Sequence, residues 1–300
     1  MNQAIQSFSG YRSFEGKGKT VKGYDLMLRQ LCLHLRNPHV EEVKIDQIID
    51  YFQGMVVLGW DRNSFIPRCV AFRKFFEYLR LQGYQVMNEE LIPIPSKEHK
   101  MPRVMTEDTY EKLLKAIPEN NDPRNIRNAA LIRMYWNSSS RNAELLSVNV
   151  TDLDLVKKST IISTEKNKGS RPFRSIFWTD DTHKYLCRWL EKRETLSRVR
   201  PFQDQEALFV GINSDRYGIR LTNKGTGELM RKMSLRAGLP PGTAINIHSI
   251  RHRGGREIIK RGGSQADVMN IFGHTSIQSS SIYTMMVGDD LQERWQKLCT

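Results

Sequence analysis

The chain has 300 residues, a formal net charge of +13 and an apolar fraction of 39%. No run approaches the roughly 18 apolar residues that cross a bilayer, and the N-terminus "MNQAIQSFSG" lacks the basic-then-apolar order of a secretory leader. Cys32, Cys69, Cys187 and Cys299 are scattered with no C-x-x-C pair, which argues against a zinc ribbon and a disulfide scaffold and fits a reducing cytoplasm.

The charge is uneven. The first 100 residues carry 14 Lys+Arg against 11 Asp+Glu, and the remaining 200 carry 32 against 22. A basic chain with no acidic tail points to a polyanionic partner, of which nucleic acid is the commonest.

The first 95 or so residues read as helices. Tyr24, Leu28, Leu31 and Leu35 recur at the spacing of one buried helix face. Asp46 is expected to cap a second helix carrying Ile48, Ile49, Phe52 and Val56. A third runs from about Ser64 to Gln82, with Phe72, Phe76 and Leu79 on one side and Gly83 as its stop. Arg73 and Arg80 share a face with Lys74 beside it, a row that suits a phosphate backbone or plain solvent. "IPIPSKEHKMPR", residues 92–103, combines three prolines with four basic residues and reads as an extended connection. Residues 1–95 are thus expected to form one domain, 96–104 a linker and 105–300 a second domain ending in a tail helix.

The second domain reads as mixed. Thr106 caps a helix; another covers about Ile126–Trp136. "NSSSRNAELLSV" is a polar turn leading into a further helix. Strands at Thr160–Ser163 and Phe173–Phe177 flank a polar turn and predict a β-hairpin. Helices follow at about 180–196 and 223–237, and glycines at 238, 262, 263 and 273 break the remainder into short helices.

Several residues here carry chemistry. Arg141 sits where a helix begins. "HSIRH" puts His248 and Arg251 three apart on one helical face. His248 and His252 have the spacing of metal ligands, but Arg251 between them would repel a cation. His274 follows a helix ending at Gly273 and would be an ordinary cap on its own. Tyr283, alone, would be an ordinary packed aromatic.

In this order the residues resemble the tyrosine recombinase family, the phage-integrase and Xer-type strand-exchange enzymes. The family pattern runs arginine, hairpin lysine, H-x-x-R, a histidine or tryptophan after glycine, then tyrosine. "SRNAELLSV" supplies Arg141 and Glu144, "HSIRHRGGREIIKRGG" supplies His248 and Arg251, and "VMNIFGHTSIQSSSIYT" supplies His274 and Tyr283. The resemblance covers about residues 105–287. It implies a mainly α fold with a small β-sheet, in two domains that clamp DNA.

The chain departs from the pattern twice. Many members have glycine and an apolar residue before the first arginine, where Ser139 and Ser140 stand. Many have a Thr-aromatic-Ala run after R-H, where this chain has "RGG". Gly254 and Gly255 would each cost a helix interior about 1 kcal/mol, so they point to close backbone approach or to a helix that starts later.

The resemblance also implies the chemistry. A phosphodiester under attack gains charge on its non-bridging oxygens, and guanidiniums grip these with forked hydrogen bonds. Arg141 and Arg251 take that role, Tyr283 is the nucleophile, His248 its base and His274 a phosphate ligand, with Glu144 orienting the others from behind. The hairpin offers Lys166, and as an alternative Lys168, as the acid that protonates the leaving oxygen. No metal, cofactor or ATP is expected. The expected partner is double-stranded DNA, the expected assembly a homotetramer on two sites. Leu291, Trp295 and Leu298 form a tail face that docks on an adjacent subunit or on its own domain. Rival readings are a type IB topoisomerase, a telomere-resolving enzyme, or a silent DNA-binding protein on the same fold.

Overall fold

The computed structural model describes residues 1–16, 18–98, 100–163, 173–243, 245–273, 283 and 295–296. The chain divides into two compact units, Met1–Lys100 and Met101–Thr300.

The first unit is built on α1 (Asn2–Phe14), α2 (Gly18–His34), α3 (Ile45–Val57) and α4 (Phe65–Leu81). Its core joins Ile5 and Phe8 of α1 to Leu28 and Leu31 of α2 and to Phe72, Phe75 and Phe76 of α4. Each such aromatic contributes roughly 1.5–3 kcal/mol by leaving water. Phe8 meets Phe75 edge-on, with ring centroids 5.6 Å apart. Helix α3 departs from expectation. Its cap position is Lys44, so Asp46 lies inside the first turn. The buried face is Ile48, Tyr51 and Met55, while Ile49 and Val56 face outward. The proline-rich stretch is no free tether at its start. Ile92 lies in the core, and the Asn63 side-chain amide exchanges two hydrogen bonds with the backbone of Glu98, at 2.9 and 3.0 Å.

The second unit surrounds α6 (Pro123–Ser138), entered through Asp122, whose side chain accepts the Arg124 N–H, with proline in the first turn. Helix α6 is buried nearly all round, Asn125, Arg127 and Asn128 included, because it is covered on several sides. Helix α8 (Asp180–Val199) and helix α10 (Ile247–Lys260) pack on it. Helix α5 (Glu107–Lys115) is capped by Thr106, as its sequence predicts. After the short α7 (Asn142–Leu146) come β1 (Leu153–Asp154), β2 (Ser159–Ser163) and β3 (Phe173–Phe177), one antiparallel sheet in the order β1-β2-β3. Ile162 pairs with Arg174 and Thr160 with Ile176 on the inner face. Phe173 and Phe177 point out. Helices α9 (Asn223–Arg236) and α11 (Gln265–Phe272) complete the described elements.

Helix α10 runs unbroken through both glycines, which settles the choice the sequence left open. A Cβ at Gly254 would lie 2.0 Å from Ser139 Oγ, and one at Gly255 would lie 2.6 Å from the Tyr283 ring. Both glycines exist for close approach.

Candidate active site

Arg141 stands at the junction between α6 and α7. Helix α6 ends at Ser139, whose φ of 47° is left-handed. That turn points Arg141 into the N-cap of α7. Glu144, three residues on, reaches back: its Oε2 accepts the Arg141 backbone N–H at 2.9 Å and its Oε1 accepts Nη1 at 2.6 Å. The Arg141 side chain stays 25% exposed, whereas Glu144 is 4% exposed.

Arg251 arrives from the second turn of α10. Its Nη1 donates to Ser139 O at 2.9 Å, and its Nη2 to Phe272 O at 3.0 Å. Its guanidinium carbon lies 4.3 Å from the centre of the Phe272 ring. One side chain therefore joins the turn before Arg141 to the end of α11. Burial, then the charge of Arg141, pushes its pKa down to about 10, so it remains a cation at neutral pH. Helix α10 is pinned from its other side, where Arg253 lies 4.0 Å over Trp136, itself stacked 3.8 Å from Tyr110.

Tyr283 is 4% exposed. Its ring meets Phe272 edge-on at 5.7 Å and sits 5.7 Å from His252. Burial raises its pKa above the ordinary 10, and the charges of Arg251 and Arg141 oppose that rise. His248 lies one helical turn before Arg251, with its ring 5.9 Å from that of His252. Lys166, Lys168 and His274 lie outside the described residues. Arg141, Glu144, His248, Arg251 and Tyr283, spread over 142 positions of sequence, belong to one connected group.

Arg73, Lys74 and Arg80 all have partners inside the first unit. Arg73 Nε donates to Ile92 O at 2.8 Å, Lys74 pairs with Glu77 at 2.6 Å, and Arg80 pairs with Glu89 at 2.5 Å. Lys74 and Arg80 face carboxylates, whereas Arg73 bonds backbone carbonyls and keeps its full charge.

Arg174 has no part in the sequence reading, and His252 enters it only as a rejected metal-ligand partner of His248. Arg174 of β3 donates to Glu144 Oε2 at 2.9 Å and to Ile271 O at 2.8 Å. His252 lies between His248 and Tyr283, and its Nδ1 is buried with no hydrogen-bond partner. Burial, then the nearby His248 and Arg251, pushes its pKa down to about 4, so its ring is neutral. Strand alternation was the available signal for Arg174, which is in phase with Ile176. For His252 no signal existed beyond its helical neighbours.

The site thus sets one buried carboxylate among three guanidiniums, beside a covered tyrosine. Residues 103–287 match the phage integrase family. The chain belongs to that family: it is a tyrosine-type site-specific recombinase, an enzyme that cuts and rejoins DNA. It is 26% identical to tyrosine recombinase XerC of Roseiflexus sp. (strain RS-1), over 95% of this chain and 89% of that one. It is likewise 26% identical to tyrosine recombinase XerD of Oceanobacillus iheyensis, over 75% of this chain and 72% of that one. Its fold resembles the Tn1549 transposon integrase in complex with transposon right end DNA, with a TM-score of 0.73, 17% identity and 99% of both chains covered. It also resembles the XerH recombinase bound to its difH substrate, with a TM-score of 0.65, 21% identity, and 91% of this chain and 78% of that one covered.

Proposed function

We propose that Tyr283 attacks the scissile phosphodiester and leaves a 3′-phosphotyrosyl link. Arg141 and Arg251 hold the non-bridging oxygens as charge builds there, supplying the stabilisation that a metal ion supplies elsewhere. A phenol with a raised pKa is almost wholly protonated at neutral pH, so a base must take its proton. His248 takes that part. Lys166, or Lys168 in its place, protonates the leaving 5′-oxygen, and His274 binds the phosphate. The covalent link keeps the energy of the broken ester, so rejoining needs no ATP.

The observation that carries this reading is the placement of Tyr283: its buried ring packs edge-on against Phe272, whose carbonyl and ring both hold Arg251. It puts the phenol beside a cation that shares Glu144 with Arg141. A phosphate held by Arg141 and Arg251 would sit next to that nucleophile.

Exchange between two duplexes opens four strands, so four copies acting on two sites form the working assembly, with the tail joining neighbours. The substrate is double-stranded DNA, reached in the cytoplasm at the nucleoid. Among the described residues no helix is long and apolar enough to cross a membrane. Phosphate contacts by Arg73, Lys74 and Arg80 would compete with their present partners.

The test is Tyr283→Phe on a nicked suicide substrate. Covalent adduct should vanish while DNA binding stays within about twofold, since only a hydroxyl is lost. Adduct formed by the Phe variant would overturn the assignment.

A further inference from the structure

Arg174 has no place in the chemistry just described, yet it is among the most thoroughly enclosed charges in the second unit. Its side chain is 6% exposed, against 4% for its partner Glu144. Its two terminal nitrogens are committed, one to Glu144 Oε2 and one to Ile271 O. Both bonds tie it to the protein interior, and one of them goes to the carboxylate that also holds Arg141.

Three guanidiniums surround the single Glu144 carboxylate. Arg141 bonds it at 2.6 Å, Arg174 at 2.9 Å, and Arg251 approaches to 3.9 Å. One negative charge cannot neutralise three cations. Two of the three are proposed to receive the phosphate, and whatever charge Glu144 draws from them is lost to the substrate. A buried carboxylate left without its own counter-ion would turn fully onto Arg141 and Arg251. Burial raises the Glu144 pKa, but Arg174, the strongest of its charged neighbours, and the hydrogen bonds from Arg141 bring it below the usual carboxylate value.

Resting on the assignment of Arg141 and Arg251 to the phosphate, we propose that Arg174 is a positioning residue for DNA cleavage. It serves as the resident counter-ion of Glu144 and so leaves the other two guanidiniums charged toward the substrate. Its bond to Ile271 O adds a mechanical link. Strand β3 follows the segment bearing Lys166, and Ile271 lies three residues before His274. The same side chain thus ties the first arginine box to β3 and to the end of α11.

A double-substitution cycle on the full chain tests this, read as single-turnover adduct formation on the suicide substrate. Arg174→Gln should slow cleavage by about tenfold or more with DNA affinity little changed, because the phosphate-binding groups are misdirected and not removed. Adding Glu144→Gln removes the stranded charge and should make the double variant faster than Arg174→Gln alone. Arg174→Lys keeps the cation but not the planar fork that spans Glu144 and Ile271 O, so it should cleave faster than Arg174→Gln and slower than wild type, within about tenfold of the latter. A double variant as slow as the single one, or Arg174→Gln cleaving at the wild-type rate, would overturn the proposal. If thermal unfolding shows that Arg174→Gln does not fold, the decision falls to the double and Lys variants. Cleavage within about tenfold of wild type for both supports the counter-ion role, and a greater loss in either refutes it. Tyr283→Phe is run beside them. Adduct from that variant would sink the active-site reading itself, whereas its loss together with unimpaired Arg174→Gln would sink only this inference.

Discussion

The two halves of the site are held by different physics. Around Glu144, position is fixed by charge-assisted hydrogen bonds from Arg141 and Arg174, with Arg251 bonded to carbonyls beside them. Around Tyr283, position is fixed mainly by shape: the ring packs with Ile259, Val268 and Phe272 and lies against the bare backbone of Gly255. The first half should respond most to changes of charge, the second most to changes of size. An electrostatic cradle must be ready before the phosphate arrives, and a nucleophile must be aimed.

The largest effect should come from adding one carbon to the shape-held half. Gly255→Ala puts a Cβ on the Tyr283 ring, and because the clash is with the ring and not with a flexible tip, the phenol must move. Cleavage should fall about 100-fold, the scale set by displacements of about 1 Å, while DNA binding persists. A normal adduct rate in this variant would show that the ring is not aimed by that glycine. A mid-sized effect is expected at Gly254. Gly254→Ala should destabilise the second unit by about 1–3 kcal/mol through overpacking against Ser139. Ser139→Gly in the same chain should restore most of the loss, and additive losses in thermal unfolding would break the pairing. The smallest effect sharpens the electrostatic side. His252 is neutral in the fold with a pKa near 4 and takes up a proton near 6.5 when unfolded. The unfolded state therefore binds more protons between those values, and stability falls as pH drops from 6.5 toward 4. With solvent screening of this partly exposed ring, the difference is about 1 kcal/mol, or about 2–4 °C. His252→Gln should lose that much less melting temperature than wild type between pH 7 and pH 5.

Much of the site was legible because its residues are chemically unusual where they stand. His248 and Arg251 declare one helical face, and glycines side by side inside α10 signal a close neighbour. Arg141 with Glu144 three residues on reads as a helix start that folds back on itself. Arg174 escaped because its strand looks ordinary: Phe173 and Phe177 suggest an inward aromatic face, and the pleat turns both outward while burying the arginine. A strand's phase depends on what lies beneath it, and here that is a carboxylate fixed from another helix. Helix α3 shows the same limit in milder form. Ile48, Ile49, Phe52 and Val56 are all apolar, so periodicity could not say that Tyr51 and Met55 would be chosen over Ile49 and Val56. In the first unit, the row of Arg73, Lys74 and Arg80 reads as a cationic stripe in sequence, but partners at Ile92 O, Glu77 and Glu89 were invisible from spacing alone.

Ser139 and Gly254 also say something about descent. The chain differs from the common family pattern in two separate boxes, with serine before the first arginine and glycine after R-H. The folded chain makes these one difference, since the serine side chain occupies the space that any side chain at 254 would need. Serine at a left-handed turn is itself unfavourable relative to glycine. A lineage acquiring the serine first would have met a clash; one that lost the side chain at 254 first would have opened room for it. Relatives with serine at the position of 139 are therefore expected to carry glycine at that of 254.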